Sequence, residues 1–190
     1  MRHLTIATSV TAELEAKHSR FMGYLFPWAA FESTLVALRE EHRKASHHVT
    51  AFRRMLPDDR VDEGARDDGE PAGTSGMPTL KVLIGANLVD AGIIIVRYFG
   101  GTKLGAGGLA RAYSGTAMRA LEAAELVPWH RIARQSVSCR FQDMSSLEQL
   151  IAAAELTVVS RNYSDTGVTI AIEGPEDAVA AVIANSDPTP

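Results

Sequence analysis

The chain has 190 residues, 46% of them hydrophobic and 22% charged, which is the balance of a globular protein with one domain or two small ones. Its single cysteine, Cys139, excludes an internal disulfide framework and a cysteine-rich zinc site, and it favours a reducing cytoplasm. No run approaches the ~18 apolar residues that a membrane-spanning helix needs, so no membrane partner is predicted.

The net charge of −4 is unevenly distributed along the chain. Residues 1–130 carry 15 basic and 15 acidic side chains, whereas residues 131–190 carry 4 basic and 8 acidic ones. This asymmetry predicts two domains, 1–130 and 131–190, and it argues against a globally basic nucleic-acid-binding protein. A local basic patch in the first domain is compatible with these numbers.

Apolar periodicity predicts the regular elements of the first domain. We expect an antiparallel strand pair at residues 3–10 and 19–26, followed by a helix at 32–44 and a strand at 47–54. A second helix is expected at 77–88 and a further strand at 93–96. The second helix should bury Leu80, Ile84 and Leu88 on one face. A last helix is expected after Gly108, with Leu109 and Tyr113 on its buried face.

The second domain is predicted to follow a β-α-β-β-α pattern after a linker at residues 127–134. The expected strands cover residues 135–141, 156–163 and 167–173, and the last helix covers 176–184. The first helix is expected after a capping box formed by Ser145 and Glu148, with an apolar face that runs from Leu147 to Ala154. The pattern is that of a ferredoxin-like domain without its last strand, because the chain stops at residues 187–190, where that strand would begin. We therefore expect an open sheet edge or one that a partner covers.

A glycine-rich loop joins the strand at residues 93–96 to the last helix of the first domain. Its glycines are Gly100, Gly101, Gly105, Gly107 and Gly108. Such a loop brings backbone N–H groups close to a ligand, and the helix N-terminus favours an anion. Lys103 and Arg111 add positive charge, and Arg97 and Tyr98 are expected to add charge and stacking. The alternative is that the glycines only permit a tight turn and that Arg111 pairs with a nearby carboxylate.

An acidic loop covers residues 67–78 and contains too many carboxylates, prolines and glycines for a regular element. The residues singled out in it are Asp67, Asp68, Gly69, Glu70 and Thr74. These oxygen atoms can bind a metal ion, act as acid or base, or accept hydrogen bonds from their own turn. The sequence leaves these alternatives open.

Two adjacent histidines, His47 and His48, lie in the predicted strand at residues 47–54. Neighbouring residues in a strand point to opposite faces, so the two rings are poorly placed to ligate one metal ion. We expect one of them to be buried and the other to reach the acidic loop. No metal site and no cofactor are predicted.

Three segments together carry a family resemblance: HHVTAFR at residues 47–53, DDGEPAGTSGMP at 67–78 and VRYFGGTKLGAGGLARAYS at 96–114. They resemble the IMPACT N-terminal domain of the YigZ/IMPACT family. The resemblance implies an α+β fold, with a left-handed βαβ domain similar to domain IV of elongation factor G. It also implies a ferredoxin-like second domain, similar to domain V of that factor.

Two residues depart from the pattern of the family. Val49 stands where the family often has Cys, and Arg66 stands where a Ser commonly precedes the two aspartates. Thiol chemistry is therefore absent at the first position, and a positive charge lies beside the carboxylates at the second.

Two classes of function compete. The resemblance implies a non-enzymatic binding protein that regulates translation, with RNA or the ribosome as partner, or a translation-control protein. The glycine-rich loop suits a phosphate backbone. The alternative is an enzyme that uses Asp67, Asp68 and Glu70 for metal-assisted phosphoryl transfer or hydrolysis. We favour binding, and nothing in the sequence defines an oligomeric state.

Overall fold

The computed structural model describes residues 3–186 and has an α+β fold, as expected from the sequence. The chain forms two compact units, one ending at Trp129 and the other beginning at His130. Within the described range, no helix is both long enough and apolar enough to cross a bilayer.

The first unit is built on a five-stranded antiparallel sheet with the strand order β2-β3-β6-β4-β5. A separate two-stranded ribbon pairs β1 with β7. The elements in chain order are β1 Leu4–Ile6, β2 Val10–Ala16, β3 Ser19–Pro27, α1 Phe31–Glu41, β4 His47–Met55, β5 Val61–Arg66, α2 Gly76–Gly85, β6 Ala91–Tyr98, α3 Ala106–Ala123 and β7 Leu126–Pro128.

The central strand β6 is buried on both faces of the sheet, which explains its uninterrupted β-branched run. Ile93 and Ile95 belong to the core that α2 and α3 cover. Ile94 and Val96 point the other way and belong to the core beneath α1. The sheet is therefore a middle layer between two sets of helices, and the parity of a residue in β6 decides which side it faces.

Two crossover connections link parallel strands of this sheet. β3 and β4 are parallel because both are antiparallel to β6, and β5 and β6 are parallel because both are antiparallel to β4. Helix α1 crosses one face and α2 crosses the other. When the sheet is viewed from one face with the first strand of a connection pointing up, the second strand lies on the same side, left or right, in both connections. Opposite faces therefore give them opposite hands, so one of the two is left-handed, as the resemblance implied, although right-handed connections dominate in proteins.

Several element predictions for the first unit were wrong in detail. Residues 11–17 are not a connection: Val10–Ala16 is itself the strand that pairs with β3, while Leu4–Ile6 pairs with β7. Helix α2 ends at Gly85. Its buried face contains Leu83, whereas Ile84, which was expected there, is exposed.

Strand β5 was not predicted at all. Its sequence, VDEGAR, carries acidic residues and Gly64, which is atypical of a strand. It lies at the sheet edge, where only one side is paired and polar side chains are tolerated. A Cβ at Gly64 would lie 2.7 Å from Cε1 of Phe52, so the glycine allows that ring to lie across β5.

The second unit has the predicted β-α-β-β-α order. Its elements are β8 Ile132–Arg140, α4 Met144–Ala153, β9 Thr157–Tyr163, β10 Gly167–Pro175 and α5 Glu176–Asn185. The antiparallel sheet has the order β8-β10-β9, and both helices pack against one core. This is the ferredoxin-like arrangement without its fourth strand. Within residues 130–186, β8 is paired on one side only; the expected place of the last strand, residues 187–190, lies outside the described residues.

The linker predicted at residues 127–134 is largely regular structure. Strand β7 ends at Pro128 and β8 begins at Ile132. Trp129 is held to the first unit, since its backbone N–H donates to His3 O at 2.9 Å and its Nε1 donates to Asp90 Oδ2 at 2.5 Å. The connection between the units is therefore shorter than expected.

A fragment of residues 1–130 should fold alone, because it retains β7 and Trp129 together with the whole first core. A fragment of residues 1–124 should melt several degrees lower, because it loses the β1–β7 pairing and both Trp129 hydrogen bonds. Thermal unfolding followed by circular dichroism would compare the two. Equal melting temperatures would show that the ribbon contributes nothing to the first unit.

Candidate functional site

The N-terminus of α3 is open to a ligand. Gly105 precedes the helix with φ of 74°, a backbone conformation that favours glycine. No side chain of the described residues caps the helix, and its first turn carries no acidic residue. The N–H of Leu109 donates to Gly105 O at 2.9 Å, so the amides of Ala106 to Gly108 precede the first helical hydrogen bond. These amides and the helix dipole suit an anion.

Two exposed cations flank this helix N-terminus. A Cβ added to Gly107 would lie 3.4 Å from Nη1 of Arg111, which places that guanidinium beside the first turn of α3. Lys103 lies in the loop that precedes the helix and is exposed. In the part of the chain that the structure describes, neither cation forms an ion pair with a carboxylate. The alternative in which Arg111 pairs with the acidic loop is therefore wrong for these residues.

The other glycines of the loop have separate structural roles. Gly100 lies against the β2–β3 turn, where a Cβ would approach the carbonyl carbon of His18 to 2.0 Å, so no larger residue fits. Gly101 has φ of 82°, and a Cβ at Gly108 would lie 2.9 Å from Cβ of Leu104. The glycines thus serve close packing and turn formation as well as the exposure of the helix amides.

The acidic loop and the glycine-rich loop share one pocket. It has a volume of about 270 Å³ and is lined by Glu70, Pro71, Arg97, Phe99, Lys103, Leu104, Gly105, Ala106 and Leu109. Lys103 and the start of α3 form one side of this pocket, and Glu70 with Arg97 form the other. The sequence did not reveal this proximity, because the two loops are about 30 residues apart.

The buried carboxylate of Glu70 connects the two loops. Arg97 Nη1 donates to Glu70 Oε1 at 2.5 Å, and Tyr113 Oη donates to the same oxygen at 2.8 Å. Glu70 is 8% exposed, Arg97 4% and Tyr113 0%. Burial and the bond to Glu70 raise the pKa of the Tyr113 hydroxyl, so it stays protonated and keeps donating. Tyr113 was expected only as an apolar position of the helix, and its hydroxyl bond was not predicted.

Arg97 has further contacts beneath the glycine-rich loop. Its Nη2 donates to Ser19 Oγ at 3.3 Å, and the same hydroxyl oxygen accepts the N–H of Gly100 at 3.1 Å. The guanidinium lies 5.3 Å from the ring centre of Phe21 and 5.5 Å from that of Phe99. Its Nε is buried and has no hydrogen-bond partner among residues 3–186. Ser19 had no signal in the sequence, because a lone serine at a strand start is common.

The roles expected of Arg97 and Tyr98 are corrected by this geometry. Arg97 is not an exposed cation, because Glu70 neutralises it in the interior. Tyr98 has the opposite parity in β6 and packs on the α1 side of the sheet, where its hydroxyl lies 3.0 Å from His42 Nδ1. It therefore does not stack on a ligand in the shared pocket.

Asp67 holds the acidic loop and the start of α2. Its carboxylate accepts hydrogen bonds from the N–H groups of Gly73, Ser75 and Gly76 and from Ser75 Oγ, at 2.5–3.1 Å. Burial by itself would raise the pKa of Asp67, but these four bonds outweigh it and keep that pKa below its ordinary value. The carboxylate is thus committed to its own turn.

The remaining residues of the loop are also engaged. Asp68 Oδ2 accepts the N–H of His48 at 2.7 Å, and Arg39 lies 3.6 Å from Asp68 Oδ1. Thr74 Oγ1 donates to Pro71 O at 2.6 Å. Gly69 has φ of 88° and lies against the ring of His47. Thr74 therefore holds its own turn, whereas the Asp68 carboxylate fixes the loop to β4 and lies beside α1.

The two histidines lie on opposite faces of β4. His47 Nδ1 is 2.8 Å from Asp68 O, and its Nε2 is 3.8 Å from Glu70 Oε2. His48 faces α1, with Nε2 3.3 Å from Leu38 O, and burial lowers its pKa. Among residues 3–186, no group of three or more His, Cys, Asp or Glu side chains is arranged to hold a metal ion. The carboxylates of Asp67 and Glu70 are both engaged in hydrogen bonds within the fold.

The Asp67→Asn substitution should lower the free energy of unfolding by about 1–3 kcal/mol, because it weakens several hydrogen bonds to a charged acceptor. A carboxyl group whose pKa is lower in the folded than in the unfolded protein stabilises the fold at pH values above its unfolded pKa. That contribution is lost as the pH falls through the folded pKa. The difference in the free energy of unfolding between parent and variant should therefore become smaller below about pH 4. Urea unfolding at several pH values measures it, and exposed Asp58→Asn is the control.

Removing one partner from the buried pair should be far more damaging. We expect Glu70→Gln and Arg97→Met each to lower the free energy of unfolding by about 3–5 kcal/mol. Tyr113→Phe should cost about 1–3 kcal/mol, because one acceptor site of Glu70 is left empty. Glu13→Gln, which breaks the exposed pair with Arg20, should change little. Chemical denaturation of the four variants tests this, and similar losses at Glu13 and Glu70 would contradict it.

Comparison with known proteins places the chain among relatives of the same architecture. A profile described as the Impact N-terminal domain matches residues 17–121, and one described as a Domain of unknown function (DUF1949) matches residues 137–185. The Escherichia coli (strain K12) protein "IMPACT family member YigZ" is 33% identical over 160 residues, which cover 83% of this chain and 78% of that protein.

Two solved structures were compared as well. The crystal structure of a hypothetical protein is 32% identical, covers 97% of this chain and 91% of its own, and gives a TM-score of 0.69. The structure of the two-domain translational regulator Yih1 is 21% identical over 65% of this chain and 48% of its own, with a TM-score of 0.37. A likeness at that level carries no inference about function. The matching profiles, the identity to YigZ and the shared fold establish that the chain belongs to the IMPACT family.

Proposed function

We propose that this chain is a non-enzymatic, cytoplasmic binding protein that associates with RNA or the ribosome and takes part in the regulation of translation. The N-terminus of α3 is proposed to bind a phosphate group through the amides of Ala106 to Gly108, with Lys103 and Arg111 beside it. The regulatory role is the one that the family resemblance implies.

One observation carries the proposal: an uncapped helix N-terminus lies next to two exposed cations that have no carboxylate partner in the described residues. The first amides of a helix have no partner within the helix, so side chains, water or a ligand satisfy them. Here the amides, the dipole and both cations favour the same kind of ligand, a phosphate or similar anion.

The site differs from the one expected from the sequence in its number of cations. Arg97 is neutralised by Glu70, so two cations, rather than three, are proposed to contact phosphate. The basic and acidic residues of the first unit balance, so long-range attraction to nucleic acid is weak. We therefore expect modest affinity that falls as salt rises.

The double variant Lys103→Ala/Arg111→Ala should weaken binding of the full-length protein to single-stranded RNA and to ribosomes. Each lost phosphate contact on a single strand flattens the slope of log affinity against log salt by about 0.7 unit, so the expected change is roughly one and a half units. Fluorescence anisotropy at several salt concentrations gives the slope for RNA, and co-sedimentation gives ribosome binding.

The matched control is Arg43→Ala/Lys44→Ala, which removes two exposed cations from the same unit outside the pocket. The control should keep the parent slope, because it leaves the proposed contacts intact. Equal loss in both double variants would show that only the net charge matters. A lower melting temperature of Arg111→Ala with unchanged binding would show that Arg111 is structural. Ribosome binding lost without any RNA affinity in the parent would indicate a protein partner.

A further inference from the structure

A second concave surface lies on the opposite face of the sheet from the shared pocket. This groove, between α1 and the strands β4 and β5, has a volume of about 640 Å³, within the range of small-molecule sites. Its lining combines aromatic, cationic and buried polar side chains: Trp28, Phe31, Glu32, Leu35, Arg39, His48, Thr50, Phe52, Arg54, Gly64, Ala65, Arg66 and Asp68.

One end of the groove is aromatic. The ring centres of Trp28 and Phe52 are 4.7 Å apart, and those of Trp28 and Phe31 are 4.9 Å apart. The Arg54 guanidinium lies 5.2 Å from the Trp28 ring centre and is paired with Asp62 at 2.6 Å, so its charge is already compensated. Trp28 and Phe52 are partly buried, so together they form an apolar wall against which a hydrophobic group can pack.

The floor of the groove carries buried polar groups with unused hydrogen-bonding capacity. Thr50 is 6% exposed, and its hydroxyl has no hydrogen-bond partner anywhere in residues 3–186. His48 is 9% exposed, and its Nε2 lies 3.3 Å from Leu38 O. The carbonyl can only accept, so Nε2 carries the proton and Nδ1 of the neutral ring is an acceptor without a described partner. Neither Thr50 Oγ1 nor His48 Nδ1 is among the fully buried atoms, so both can be reached from the groove and can hydrogen-bond a ligand there.

A free cation adjoins this polar floor. Arg66 is the direct cross-strand neighbour of Thr50, so both side chains lie on the same face of the sheet. Arg66 is exposed, and no acidic partner is found for it in the described part of the chain. Arg39 lies nearby but is 3.6 Å from Asp68 Oδ1. The cation that remains uncompensated at this end of the groove is thus Arg66.

We propose that this groove binds a small planar organic anion, with its rings against Phe52 and Trp28 and its anionic group between Arg66 and the Thr50 hydroxyl. The aromatic end selects a flat apolar body, and Arg66 with Thr50 selects the charge. The groove and the shared pocket lie on opposite faces of the sheet, so this binding is independent of the proposed phosphate contact at α3.

The probe for this site is 8-anilinonaphthalene-1-sulfonate, an anion with a flat naphthalene ring system that fluoresces when it leaves water. Arg66→Gln should weaken its binding to the full-length protein about tenfold, because a charge-assisted hydrogen bond is lost. Thr50→Val keeps the shape of the side chain and should weaken binding about threefold. Arg43→Gln, an exposed arginine outside the groove, is the matched control and should leave the dissociation constant unchanged.

Two further measurements locate the probe and test the need for charge. Trp28 and Trp129 are the two tryptophans, so their indole N–H signals in a ¹⁵N correlation spectrum are resolved, and the Trp28 signal should shift on titration. N-phenyl-1-naphthylamine, which has the same rings without the sulfonate, should bind more weakly and be insensitive to Arg66→Gln.

The proposal is overturned if Arg66→Gln and Arg43→Gln have the same effect, or if only the Trp129 signal shifts. Either result would assign the probe to another surface, such as the apolar groove between α2 and α3 that Val82, Met118 and Leu121 line. Equal affinity for the neutral probe would overturn the selection of an anion. Thermal melts of Arg66→Gln and Thr50→Val that match the parent would show that the loss of binding is local.

Discussion

The first unit depends on one buried carboxylate. Glu70 accepts hydrogen bonds from Arg97 in β6 and Tyr113 in α3, and thereby fixes the acidic loop to two elements distant in sequence. A charge in the interior is tolerated only when it is paired and hydrogen-bonded, and Glu70 meets both conditions. The same ion pair also holds the start of the glycine-rich loop. Arg97 donates to the Ser19 hydroxyl, and this hydroxyl accepts a hydrogen bond from the Gly100 amide.

This arrangement separates structural charges from available ones. Some charged side chains bond to other groups of the fold: Asp67, Glu70 and Arg97. Others remain exposed to solvent: Lys103, Arg111 and Arg66. The middle sheet separates the available cations into two sets, with Lys103 and Arg111 near the start of α3 and Arg66 in the groove beside α1. The first unit thus has exposed cations on both faces of its sheet, and the two sets lie in chemically different surroundings.

The elements whose pattern is local were predictable from the sequence, and those that depend on distant partners were not. The run Ile93–Val96 indicates a buried strand by itself. The role of Arg97 could not be predicted, because a cation beside a glycine-rich loop looks available until its partner, 27 residues earlier, is known. Tyr98 was expected to stack on a ligand, but it faces the α1 side of the sheet. The face that a residue of β6 occupies depends on how β6 is placed between its neighbours, which the sequence does not give. Val61–Arg66 was missed because an edge strand needs little hydrophobicity.

The strand order of the first unit has a consequence for how the chain reaches this structure. Strand β6 lies in the middle of the sheet but is the last of the five strands to leave the ribosome, so β3 and β4 have no common neighbour until it arrives. The local hairpins β2–β3 and β4–β5 can form early, whereas their union requires β6 to insert between them. During synthesis the two hairpins therefore expose their inner edges, and the arrival of β6 removes both edges in one cooperative step.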